Sequence, residues 1–362
     1  MSLLSTRIDL SAIAHNTRVL KEMVAPAKLM CVVKADGYNH GNQQVVPVME
    51  ANGADRFGVA TVAEARAVRE LTDKPVLAWI WSLDDEVPAD IQLGVPTLGH
   101  LRRLVDDPTE RTVYLMVDTG MNRSGIDEQE WAEAFELAAG AHHLHVEGLM
   151  THLACADDPA DPFTDTQADT FRRAIAQGRE TGLELPTNHL ANSPATLSRP
   201  DLYFDQVRPG VALYGLEPIA NTDHGLTPAM TWRAEVAAVK PIAAGEGTSY
   251  GLTWRAPEDG FTAVIPAGYA DGVPRNWQDT IEVTISGKSY PQVGRVCMDQ
   301  FVVWLGSEDP EVRVGDEAII FGPGGMSATT LADRAGTINY EVVCRPAGRN
   351  QREYIQTTPK EA

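Results

Sequence analysis

Short, continuously apolar runs alternate with amphipathic stretches through the first 227 residues. The runs fall at residues 29–33, 57–60, 76–80, 113–117, 146–150, 188–191 and 211–213. Segments with helical spacing lie between them, at 63–71, 127–139 and 166–181, and Ser11 is placed to cap a helix over residues 12–21. Strands that stay apolar instead of alternating are buried on both faces, the mark of a parallel sheet covered by helices. About seven or eight such βα units over roughly 220 residues fit a closed (β/α)₈, TIM-like barrel.

The pattern changes after Leu226-Thr227-Pro228. Beyond it, residues 263–265, 281–285, 301–304 and 318–321 read as strands, Ser286-Gly287-Lys288 as a hairpin turn, and 329–335 as a lone helix. The expected organisation is therefore α/β plus β: a barrel over residues 1–227 and a β-rich C-terminal domain over 228–362.

Charge and cysteines narrow the function. A net charge of −20, from 50 acidic against 30 basic residues, argues against nucleic acid and anionic membrane surfaces as partners. Cys31, Cys155, Cys297 and Cys344 have no metal-like spacing and read as free thiols of a reducing compartment. Nor does the cluster His142, His143 and His145 have helical spacing or an acidic partner in the sequence; it reads as solvated, and no metal is expected. The start MSLLSTRIDL lacks the apolar core of a signal peptide, and no stretch approaches the ~20 apolar residues of a membrane span. A cytoplasmic protein is expected.

Catalytic groups of such barrels gather at the carboxyl ends of the strands. Lys34 and Tyr38 follow the first run; Arg123 follows 113–117 in Asp118-Thr119-Gly120-Met121-Asn122-Arg123; His152 follows 146–150. His189, Asn192 and Ser193 fall at the next run, and Arg208, Pro209 and Gly210 precede the last. A lysine at the tip of a buried strand is costly to desolvate, which favours the neutral amine that attacks carbonyls. Taken singly, Lys34 also reads as a strand-end lysine that snorkels to water. Ser193, just before a helix-like segment, and Gly210 suit a phosphate. Neither GxxxxGK[ST] nor GxGxxG occurs. A phosphate held by late barrel loops beside a strand-end lysine suggests pyridoxal phosphate (PLP).

Val33-Lys34-Ala35-Asp36-Gly37-Tyr38-Asn39-His40-Gly41 resembles the PLP-lysine motif of bacterial alanine racemases, a PLP-dependent family of fold type III. The resemblance continues, in order, through Asp118-Thr119-Gly120-Met121-Asn122-Arg123, Thr151-His152-Leu153, His189-Leu190-Ala191-Asn192-Ser193 and Arg208-Pro209-Gly210-Val211. It ends with Gly268-Tyr269-Ala270-Asp271-Gly272, Cys297-Met298-Asp299-Gln300 and Ile338-Asn339-Tyr340-Glu341.

The resemblance implies a PLP enzyme that interconverts L- and D-alanine for peptidoglycan. Lys34 would hold the cofactor as an aldimine and act as one base. Tyr269 of the partner subunit would be the other, because racemisation needs proton transfer on both faces of the α-carbon. A homodimer with shared sites follows, with a small amino acid as substrate. Arg208 would meet the pyridine nitrogen; Tyr38, Ser193, Tyr340 and the backbone of Gly210 and Val211 would hold phosphate. Arg123 would contact the cofactor's phenolic oxygen or the substrate carboxylate, and Met298 of the partner subunit the carboxylate. His152, His189 and Asn192 would stand behind these groups, with His189 tuning Tyr269.

Three positions depart from the family. Met116 replaces a lysine, often carbamylated, whose negative charge would orient Arg123. Asn39 replaces a frequent glycine, and Arg349-Asn350-Gln351-Arg352 replaces the usual Arg-Val-Pro-Arg, with Arg352 a candidate for the substrate entrance. Rival readings are a racemase of broader specificity, such as serine, an amino-acid decarboxylase, and a non-enzymatic PLP carrier. Gly268-Tyr269-Ala270-Asp271-Gly272 argues against the decarboxylase, and the C-terminal domain against the carrier.

Overall fold

A computed structural model describes residues 3–308 and 310–357. The chain forms two compact units, one of Ile13–Gly37 and Gly41–Thr227, the other built mainly from Pro228 onward.

In the first unit seven parallel strands are ordered Leu144–Met150, Arg111–Met116, Ile91–Val95, Val76–Ile80, Arg56–Thr61, Lys28–Val32 and Gln206–Val207. Residues 187–191 are the eighth stave, running parallel to Leu144–Met150 through the Met150–His189 bridge. Thr187 and His189 donate backbone N–H groups to Glu147 and Leu149 at 2.8 and 3.1 Å; Asp205 and Arg208 donate to Asn188 and Ala191 at 3.2 and 2.8 Å. The barrel closes there. Gly148 permits the closure, since an added Cβ would lie 1.9 Å from Thr187 O.

Several local expectations change. Residues 211–213 are not a strand but part of the 3₁₀ turn Val211–Tyr214; the strand is the short Gln206–Val207 before them. The strand Ile91–Val95 escapes the pattern because Gln92 and Gly94 interrupt its apolar run. The helix Leu10–Val24 begins before Ser11, and the Asp9 carboxylate accepts the Ser11 N–H at 2.8 Å, so Asp9 is the cap.

The second unit carries a nine-stranded sheet among the described residues. Its order is Ala238–Ile242, Gly260–Ile265, Phe301–Gly306, Lys288–Val293, Glu282–Ile285, Glu317–Phe321, Met230–Glu235, Leu4–Asp9 and Gln351–Ile355. The N-terminal strand thus lies outside the barrel in which a cut near residue 227 would place it. Leu4–Asp9 pairs antiparallel with Met230–Glu235 and parallel with Gln351–Ile355, burying Leu4, Thr6 and Ile8. Residues Tyr38–His40 also pack with this unit. Ser286 and Gly287 take φ of 50° and 79°, both positive as a tight hairpin requires, and pair Ile285 with Lys288. No helix among the described residues is long and apolar enough to cross a membrane.

Candidate active site

Lys34 follows the strand Lys28–Val32, and the chain then turns left-handed. Ala35, Asp36 and Gly37 have φ of 53°, 54° and 64°, and Tyr38 and Asn39 continue at 51° and 66°. Each non-glycine residue there costs about 1–2 kcal/mol, so the turn must be held from outside. Gly37 N–H donates to Val33 O at 3.0 Å, Asn42 Nδ2 to Val33 O at 3.0 Å, and the Asp36 carboxylate accepts Asn42 N–H at 2.8 Å. The same φ accounts for Asn39, because asparagine tolerates the left-handed region better than other side-chain-bearing residues do. Backbone strain stored beside a reactive group is typical of a functional site.

The Lys34 ammonium lies 6.0 Å from the ring centre of Trp79, on the strand Val76–Ile80. Beside Trp79 is an apolar cluster of Met30, Leu77, Tyr114, Met116 and Met150. Met116 therefore fills the barrel interior with a thioether, where an ionic group would be desolvated. Arg123 is exposed, on a loop shaped by the Asp118 carboxylate, which accepts Gly120 and Asn122 N–H at 2.8 and 3.2 Å. Among the described residues no carboxylate forms an ion pair with Arg123.

Arg208 leaves the strand Gln206–Val207 only 5% exposed. Its Nη1 donates to His189 Nδ1 at 2.5 Å; its Nη2 donates to Thr151 O at 2.7 Å and His152 Nδ1 at 3.2 Å. A guanidinium only donates, so both Nδ1 atoms accept and each neutral imidazole carries its proton on Nε2. Burial first, then the charge of Arg208, pushes His152 down to about 3, with smaller contributions from Arg123 and Lys34. Burial and the same guanidinium hold His189 well below the usual histidine range. Arg208 thus meets two neutral acceptors at these positions. His189 is wholly buried, whereas His152 is only partly buried.

Asn192 caps the helix Ser193–Ser198, its side chain accepting Ala195 N–H at 3.3 Å and donating to Leu153 O at 3.4 Å. Ser193 Oγ accepts the Gly210 and Ala212 N–H groups at 2.8 and 3.4 Å. Hydroxyl and amides therefore converge beside the buried Val211.

In the second unit Tyr38 and Tyr340 bring their rings to 6.3 Å. Asn39 donates to Pro346 O at 2.8 Å and accepts from Arg352 at 2.6 Å, which ties this departing position to the end of the Arg349–Arg352 segment. Tyr269 and Met298 are 47% and 53% exposed on adjacent segments joined by Tyr269 N–H to Cys297 O and Ala270 N–H to Met298 O, each 3.0 Å. Gly268 is required, since a Cβ would meet Met298 O at 2.2 Å. Behind the loop, the fully buried Asp271 carboxylate receives Arg349 Nε and Nη2 at 2.8 and 2.7 Å and Gly268 N–H at 3.0 Å.

The sequence reading did not find the Asp271–Arg349 clamp, Trp79, or a buried group in the barrel made by Arg56, Tyr114 and Glu147. Arg56 donates to both other side chains. The available signal was a charge inside an apolar strand, at Arg56 and at Glu147. His145 does have an acidic partner, Glu147 at 3.1 Å, contrary to expectation. Among the described residues no group of three histidine, cysteine or acidic side chains could hold a metal.

An eight-stave parallel barrel with a lysine, a buried arginine and neutral histidines at its strand ends, joined to a β-rich unit, defines a class of barrel enzymes. The family models for the alanine racemase N-terminal domain and C-terminal domain match residues 8–218 and 229–354. The chain belongs to the alanine racemase family. It is 62% identical to the alanine racemase of Corynebacterium efficiens over 98% of this chain and 99% of that protein. The crystal structure of alanine racemase from Corynebacterium glutamicum superposes with a TM-score of 0.91 at 52% identity, covering 98% of this chain and 100% of that one. The enzyme of D-cycloserine-producing Streptomyces lavendulae gives 0.93 at 35% identity, over 99% and 98%.

Proposed function

We propose that this chain is an alanine racemase, interconverting L- and D-alanine with PLP as a homodimer with shared sites and supplying D-alanine for peptidoglycan in the cytoplasm. The observation that carries the reading is the Arg208 guanidinium held by the neutral His152 and His189. Such a group donates a hydrogen bond to a pyridine nitrogen without protonating it. The donor set suits the rest of the cofactor. Lys34 offers an amine, and Ser193 with the Gly210 and Val211 amides, Tyr38 and Tyr340 offer phosphate donors. When bound, PLP spreads the charge left on the α-carbon into its ring.

The residues of this chain do the remaining work. Lys34 Nζ exchanges the α-proton on one face, and Oη of the partner subunit's Tyr269 on the other. The half-exposed phenol, on a loop braced by Asp271 and Arg349, supports that assignment. Arg123 and the backbone of the partner's Met298 orient the substrate carboxylate. The division near residue 227 into a barrel and a β-rich domain that serves the neighbour's site belongs to the same reading, with the strand Leu4–Asp9 in the β-rich sheet and not in the barrel. A stereospecific D-alanine assay on purified protein, with and without PLP and with serine and lysine beside alanine, tests it. D-alanine should form fastest from alanine with PLP; none in either condition would refute the reading.

A further inference from the structure

His189 Nε2 is buried and finds no nitrogen or oxygen partner. The proton sits there for as long as Nδ1 accepts from Arg208. An unpaired N–H in a protein interior is costly. The ring lying against His189 is that of Tyr114, 4.8 Å away between centroids and at 83° between planes. Edge-to-face geometry of this kind lets an N–H aim at π electrons. We propose that the face of Tyr114 receives the His189 Nε2–H, which makes Tyr114 a positioning residue for Arg208.

Tyr114 is itself fixed. Arg56 donates to its hydroxyl and to the Glu147 carboxylate, and Thr187 Oγ1 donates to the same carboxylate at 2.9 Å. Burial keeps the phenol protonated. With the ring locked, the other tautomer of His189 would set an N–H against the Arg208 N–H, donor against donor, and would leave the ring face unused. The inference deepens the proposed function, in which Arg208 serves the cofactor's ring nitrogen, yet its test does not require racemisation.

The test is nitrogen-15 spectroscopy of the full-length, PLP-loaded protein labelled at histidine, with the His189 signal identified by its loss in His189→Gln. His189 should appear as a single neutral, Nε2-protonated imidazole at about pH 6–8. Ring current should shift its proton upfield of the other histidine N–H signals. Tyr114→Phe keeps the ring and should keep both features. Tyr114→Leu should lose the upfield shift and show a second tautomer, with its fold confirmed by circular dichroism. An Nδ1-protonated or unshifted wild-type signal overturns the proposal, and so does a wild-type spectrum in folded Tyr114→Leu. If Tyr114→Leu does not fold, the wild-type proton shift decides. An intact signal in a protein that makes no D-alanine would sink the function and spare this contact.

Discussion

Acid should destabilise the intact chain more steeply than a chain lacking His152 or His189. An unfolded histidine titrates near 6.5, whereas folded His152 is pushed down to about 3 and His189 well below the usual range. Between those limits the unfolded chain binds protons that the folded chain refuses. The stability contributed by each neutral imidazole is therefore complete above the unfolded value and is lost as pH falls toward the folded one. The slope is about 1.4 kcal/mol per pH unit for a histidine that titrates only in the unfolded chain, which for His152 amounts to at most about 2–3 kcal/mol between roughly pH 7.5 and 4.5. His152 keeps some solvent contact and contributes the smaller share. Staying above about pH 4.5 keeps most carboxylates ionised and out of the comparison. The assay is urea unfolding by circular dichroism at successive pH values, for wild type, His152→Gln and His189→Gln. Each variant has its own baseline stability, so the slope against pH is the quantity compared. Parallel slopes for His189→Gln and wild type would refute the reasoning, because His189 would then titrate alike in both states.

Met116→Lys puts an amine among Met30, Leu77, Tyr114, Met150 and Trp79. It should cost about 3 kcal/mol or more and lower the melting temperature; unchanged melting would show that the position is not apolar in effect. Gly148→Ala drives a Cβ into Thr187 O and should open the seam beside His189, costing about 3 kcal/mol or more. Soluble yield and thermal melting check it, and a variant that melts with wild type would contradict the closure described.

The repeating apolar runs made the barrel legible, because strands buried on both faces leave a signal that survives without any partner in view. The same logic hid Ile91–Val95, whose Gly94 is small where Trp79 and Met116 crowd the interior; a Cβ there would lie 3.0 Å from Met116 Sδ. It also misplaced the last stave at residues 211–213, since the strand Gln206–Val207 is only two residues long and leaves little apolar pattern. Leu4–Asp9 could not be assigned by position along the chain, as its partners are more than 200 residues away in sequence. Motif residues such as Lys34, Arg208 and Tyr269 were legible through resemblance. The supports beneath them were not. Asp271 reads as one acid of a loop, and only the fold shows it buried under Arg349. Asn39 looked like a departure and proves to fill a left-handed position and tie it to Arg352.

The central claim is that two bases from two chains share one α-carbon. Mixing Lys34→Ala protein with Tyr269→Phe protein, each inactive, tests it most directly. Subunit exchange should restore part of the D-alanine-forming activity, because one site of each hybrid dimer keeps an intact lysine and an intact tyrosine. No activity in a mixture shown to contain hybrid dimers would contradict the shared site.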